Sequence, residues 1–138
     1  MIQPSRDRVG GERGFTLLEL LVVATVLVVL AGIGLVQYKN GVTRAREGVL
    51  KTDLFNMRDA IDQYYADKGQ YPPTLDELVS AGYLRKIPDD PFTGNASTWQ
   101  TIQSDPDASN PTAAPGVYNV KSGSDAVALD GTKYSDWD

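Results

Sequence analysis

The sequence predicts an α+β chain, a long N-terminal helix packed on a small antiparallel β-sheet, and three observations carry that expectation. Between Phe15 and Val36 the only charged side chain is Glu19. From Val42 to Tyr64 apolar residues recur at steps of three to five, a near-helical period. Beyond Ser97 come short alternating runs, "STWQTI" and "VYNV", separated by Pro, Asp, Ser and Gly, the pattern of strands and turns.

The N-terminal segment, residues 1–14, holds three arginines against one aspartate and one glutamate. It reads as a basic leader. Residues 15–36 follow as a run of 22, which as a helix would be about 33 Å long and match a bilayer core of about 30 Å. A secretory signal normally has a shorter apolar stretch of about 7–15 residues. Cleavage after Ala31 in "VLAG" is the alternative, but it leaves Glu19 without a use. A carboxylate near the middle of a bilayer costs about 2.5–3.5 kcal/mol, so intramembrane acids are generally partnered or functional. The other reading of Glu19 is a charge that snorkels to the interface.

Residues 37–138 form the expected globular part. The apolar stripe of Val42, Ala45, Val49, Leu54, Met57, Ile61 and Tyr64 should face its core, opposite a solvated face of Arg44, Glu47, Lys51, Asp53, Arg58, Asp59, Asp62 and Asp67. Gly69, then Pro72 and Pro73, should end the helix near Lys68. Gly32, Gly34, Gly41 and Gly48 are points where it could bend, each costing about 1 kcal/mol against alanine. In "TLDELVSAGYL", Thr74 and Glu77 make a capping box and Gly82 a stop. "IPDDPFTG" is turn chemistry. "AVAL" and the Asp-Gly turn of "DGTKYSDW" complete the β region.

Charge runs along the chain as a gradient. From Ile87 onward there are eight aspartates and no glutamate, against Lys121 and Lys133 alone. A basic start, an apolar span and an acidic remainder give a single-pass topology with the N-terminus in the cytoplasm. No basic face exists for nucleic acid. The chain has no cysteine and no histidine, which removes disulfides, thiol catalysis, zinc sites and histidine mechanisms and argues against an enzyme. The tyrosines and tryptophans could form a glycan-binding face, but a small domain needs such side chains to fill its core.

"RGFTLLELLVV" resembles the N-terminal motif of type IV pilins and type II secretion pseudopilins: a basic leader ending in glycine, then phenylalanine, then glutamate fifth in the mature chain. "DLFNMRDAIDQYYADKGQYPPTLDELVSAGYLRKIPDDPFTG" and "SGSDAVALDGTKYSDW" look like later segments of the major pseudopilin. The resemblance implies cleavage between Gly14 and Phe15 by a prepilin peptidase, methylation of the Phe15 amine, and pairing of Glu19 with the Phe15 amine of a neighbouring subunit. It implies as partners identical subunits in a helical filament, minor pseudopilins and an inner-membrane assembly platform. The location would be the inner membrane before assembly and a periplasmic or surface filament afterwards. Where the family often has a proline, this chain has Val36.

Many type IV pilins close the C-terminal region with a disulfide, whereas major pseudopilins use calcium. Ser122 and Asp125 match the family's first ligand cluster, and Asp130 and Asp136 remain of the second. A hairpin held by Asp-Gly turns accounts for the same residues. Three classes of function therefore stand: a filament subunit of a secretion system or a type IV pilus, a membrane-tethered calcium- or glycan-binding module, and a secreted enzyme using only Asp and Glu.

Overall fold

The computed structural model describes residues 16–106 and 108–138. The leader, Gly14 and Phe15 lie outside the described residues. By internal contacts the chain divides after Lys39.

Helix α1 spans Leu17–Lys68. Thr16 precedes it: its hydroxyl accepts from the Glu19 amide at 3.1 Å, satisfying one of the donors that a helix start leaves open, while its carbonyl accepts the first helical backbone bond, from the Leu20 amide at 3.0 Å. The helix runs unbroken through all four of its glycines. It ends at Gly69, whose φ of 70° is left-handed and whose amide bonds Tyr65 O at 2.8 Å. Only glycine adopts that geometry without a steric penalty.

The first unit, up to Lys39, exposes every described residue. α1 is long and apolar enough to cross a membrane there.

In the second unit, α1 contributes Leu50, Leu54, Met57, Ala60, Ile61 and Tyr64 to the core. Here the structure corrects the expected stripe. Val42 and Val49 are exposed and Leu50 is fully buried, because the core follows a strict four-three spacing from Leu50 that the earlier valines do not share. The expected charged face also divides. Glu47, Asp53 and Arg58 are half-buried against the rest of the unit.

Helix α2, Leu75–Ser80, is capped by Thr74, whose hydroxyl accepts from the Glu77 amide, and it buries Leu78. Strands β1, Gln100–Gln103, and β2, Val117–Lys121, pair antiparallel as the only sheet among the described residues. The partners of Ile102 and Gln103 are Asn119 and Val117, so Tyr118 is an extra, bulged residue. Val117 and Val120 lie three apart and would otherwise face opposite sides; the bulge lets both enter the core. Gly116 is required just before β2, since a side chain there would collide with the carbonyl oxygens of Tyr71 and Pro72.

"AVAL" forms no strand. It makes one bridge, Val127 to Lys133, because the chain turns at once through Asp130–Gly131. "DGTKYSDW" ends in a short 3-10 turn, Tyr134–Asp136, that buries Tyr134 completely against the helix side. Tyr134 stacks on Phe92 at 3.7 Å and meets Trp137 edge-on. Tyr64 and Trp99 are buried, while Tyr65 and Tyr118 stay exposed. Most aromatics therefore serve packing.

Candidate assembly and cation sites

Glu19 lies in the first turn of α1, exposed and without an ion pair among the described residues. Around it Leu17, Leu18, Leu20 and Leu21 are all more than half exposed. An apolar helix turned wholly outward, with one acid near its start, has neither a core of its own to enter nor a partner for its charge within the described chain. Both are conditions that association with lipid and with other helices would satisfy.

The four expected calcium ligands lie in the C-terminal region, and the structure brings them together only in part. The "SGSD" stretch and the segment before Trp137 run side by side: the Ser135 amide donates to Ser124 O at 3.1 Å, and the Ser135 hydroxyl donates to Asp125 at 3.3 Å. This places Asp125 beside the turn that carries Asp136. Ser122, by contrast, is fully buried and donates its hydroxyl to Asp90 at 2.5 Å. Asp130 accepts from both the amide and the hydroxyl of Thr132, at 2.9 and 2.6 Å, and these bonds hold its carboxyl below the ordinary range. Oxygen donors of this kind suit calcium, but among the described residues no three acidic side chains converge on one point.

Four residues organise this region that the sequence placed elsewhere, Asp90 within a turn and Asp53, Glu47 and Arg58 on a solvated face. Asp90 is fully buried. It accepts from Ser122, from the Gly123 amide at 3.2 Å and from the Phe92 amide at 2.9 Å, so three donors replace the water it lost. Asp53, on α1, has its carboxyl pushed up by burial and then by the charge of Asp90. Glu47 accepts from the Leu129 amide at 3.0 Å and the Tyr134 hydroxyl at 2.9 Å. Burial first, and this bond second, push the Tyr134 hydroxyl up to about 12.

Arg58 donates to Asn119 Oδ1 at 2.8 Å and to the carbonyls of Val120 and Trp137, both at 2.9 Å. Burial lowers its pKa, partly offset by Asp138. Asp138 in turn pairs with Lys121 at 2.9 Å. The helix thus holds the last turn of the chain at two points, Glu47 and Arg58. Their three-to-four spacing from Leu50, Leu54 and Ile61 was the available signal: both fall on the flank of the buried seam rather than opposite it.

Residues 10–35 match the family model described as the prokaryotic N-terminal methylation motif. The chain is 35% identical over 97 residues to type II secretion system core protein G of Klebsiella pneumoniae, covering 59% of this chain and 69% of that protein. The corresponding proteins of Pseudomonas aeruginosa and Escherichia coli K12 are 33% and 31% identical over 97 residues, with 59% of this chain and 68% and 67% of theirs aligned. No solved structure gives a significant match.

Proposed function

From the premise that the chain belongs to the type II secretion core protein G family, the major pseudopilins, we propose how its parts serve that role. The protein is a filament-forming secretion subunit of a structural, non-catalytic class. The single observation that carries the detailed reading is the placement of Glu19, alone among charges, at the start of an exposed apolar helix within the methylation motif.

A prepilin peptidase cuts between Gly14 and Phe15, glycine's missing side chain allowing close approach to the backbone, and the new amine is methylated. In the filament Glu19 meets the Phe15 amine of a neighbour. Burying both charges is tolerable when they are paired, and a subunit out of register leaves both unpaired, so the pair selects register. Before assembly the chain sits in the inner membrane with its N-terminus cytoplasmic, in contact with the assembly platform, and minor pseudopilins join the same filament. Mass spectrometry of the mature chain tests this directly. An N-methylated Phe15 terminus supports it; an intact Met1 terminus rejects it.

Calcium binding by Ser122, Asp125, Asp130 and Asp136 belongs to the same proposal. It rests on the family resemblance and on the adjacency of Asp125 to the Ser135–Asp136 turn. When bound, the ion would fasten the two segments where related pilins use a disulfide.

A further inference from the structure

Past its apolar run, α1 carries a short block of a single charge sign. Between Glu19 and Glu47 there is no acid, and Lys39, Arg44 and Arg46 are the only charged residues. All three are exposed. None is in an ion pair among the described residues, where Lys121 with Asp138 is the only one. Glu47, next in sequence to Arg46, is committed elsewhere: its carboxylate accepts from the Leu129 amide and the Tyr134 hydroxyl. From Glu47 onward the balance reverses, to fifteen acids against seven cations.

The place of the block in the chain says what it would meet. Lys39, Arg44 and Arg46 come three, eight and ten residues after Val36, about 4.5, 12 and 15 Å of helix at about 1.5 Å per residue. The headgroup layer outside the hydrocarbon is about 5–8 Å deep on each side. Side chains on a helix lean toward its N-terminus, here toward the apolar run, so the long arms of Lys39 and Arg44 lean back toward that layer. Arg46 stands within a Debye length of it, about 8 Å at physiological salt. Lys39 and Arg46 share one face, while Arg44 stands roughly 140° round from Lys39, so the charges ring the helix rather than forming one stripe. Tyr38, beside Lys39, is 72% exposed and is of the residue type that forms the aromatic belts of membrane spans.

The block also runs against the usual topology preference. Basic residues favour the cytoplasmic side of a span, yet with the N-terminus cytoplasmic these three lie on the other side. A feature that breaks a rule without a gain inside the subunit is where an external contact is expected. The contact must be anionic. Phospholipid phosphates are present at that level beside every inserted copy, whereas the acids of a second copy arrive only on association.

We infer that Lys39, Arg44 and Arg46 form a collar that binds the phosphate groups of anionic phospholipids at the outer face of the inner membrane. The inference rests on the reading of the chain as membrane-inserted before assembly. Each cation close to an anionic surface strengthens its attraction severalfold. The acidic remainder of the chain is repelled by the same surface, so the collar is the part outside the span that an anionic leaflet attracts. The guanidinium groups of Arg44 and Arg46 present paired donors that match phosphate oxygens. The contact belongs to the unassembled subunit, and the collar must release its lipids when the subunit leaves the bilayer.

Phosphatidylcholine vesicles carrying the full chain and a trace of spin-labelled phosphatidylglycerol or spin-labelled phosphatidylcholine report the contact as the fraction of label immobilised by the protein. The inference predicts at least a fourfold preference for phosphatidylglycerol. Lys39→Gln/Arg44→Gln/Arg46→Gln should reduce that preference at least twofold. Arg85→Gln/Lys86→Gln, a control at two exposed cations elsewhere, should keep it. The leader's arginines are common to all three chains and produce no difference between them. Raising salt from about 0.05 to about 1 M shortens the Debye length to about 3 Å and should weaken the wild-type preference at least twofold, a readout that depends on no variant. No preference in wild type, equal loss in collar and control variants, or a preference indifferent to salt overturns the inference. Wild type that shows no lipid preference but forms dimers the collar variant does not form assigns the collar to a second copy, which overturns it too. A chain that alkaline carbonate extracts from membranes would instead reject the membrane-inserted reading, and the two failures are thereby distinguishable.

Discussion

Replacing Asp90 with alanine removes one side chain and leaves three donors without an acceptor. The carboxylate is fully buried and accepts from the Ser122 hydroxyl at 2.5 Å, the Phe92 amide at 2.9 Å and the Gly123 amide at 3.2 Å. A buried donor left unsatisfied costs about 1–3 kcal/mol. The hydroxyl of Ser122 can rotate toward another acceptor; the two amides are fixed by the backbone. About 3 kcal/mol is therefore the expected loss in Asp90→Ala, which for a unit of this size lowers the melting temperature by about 12–24 °C. Asp90→Asn keeps one carbonyl oxygen and turns an amide donor toward other donors, so it should fall between alanine and wild type. Ser122→Ala alone should cost about 1 kcal/mol, and the double variant should lose less than the sum because the two residues share one contact. Urea unfolding of residues 40–138, followed by the fluorescence of Trp99 and Trp137, reads the four variants beside wild type. Asp90→Ala within 1 kcal/mol of wild type, or strict additivity with Ser122→Ala, would refute the assignment of Asp90 as the anchor of this region.

Three other outcomes are expected. Gly14→Glu should block processing and leave the longer precursor in the membrane, as seen on a denaturing gel; a mature-length product would place the cut elsewhere. Asp53→Asn should raise stability at neutral pH. Asp53 is held above its ordinary pKa in the folded state, so the folded protein binds its proton more tightly and wild type loses stability as pH rises from about 4 through the folded value. The gap to Asp53→Asn should close in acid, and an equal gap at pH 3.5 and pH 7 would contradict that cause. Calcium at 100 times its dissociation constant should stabilise the full chain in detergent by about 2.7 kcal/mol, with the effect lost in Asp125→Ala; identical melting with calcium and with chelator would remove the ion from the account.

The helices were legible because their signals are local. The capping box at Thr74 and Glu77, the stop at Gly69 and the acid of Glu19 can each be read within a few residues. The C-terminal region was read less well because what arranges it is distant in sequence. Glu47 bonds Tyr134 and Arg58 bonds Trp137 across 87 and 79 positions, and no periodicity encodes such pairs. The same limit hid Asp90, which looks like one of two turn aspartates in "PDDP" until Ser122 arrives beside it. The core stripe was started too early, at Val42, since valines near a helical period resemble core residues wherever they point. Only the buried seam from Leu50 separates them, and Val42 and Val49 stand about 80–100° from Leu50 around the helix, to the side of the core.

The central claim, that this chain builds filaments through its N-terminal helix with Glu19 setting the register, is tested most directly by electron microscopy of filaments from Glu19→Leu subunits beside wild type. Removing the carboxylate should ease membrane insertion, by less than the roughly 2.5–3.5 kcal/mol that a charge costs at the centre of a span. It should also remove the partner of the neighbour's Phe15 amine, at a cost of about 3–5 kcal/mol per buried contact. The account predicts a variant that inserts at least as well as wild type and yields few or short filaments. Glu19→Leu subunits that insert and alone form filaments of normal number and length would contradict it.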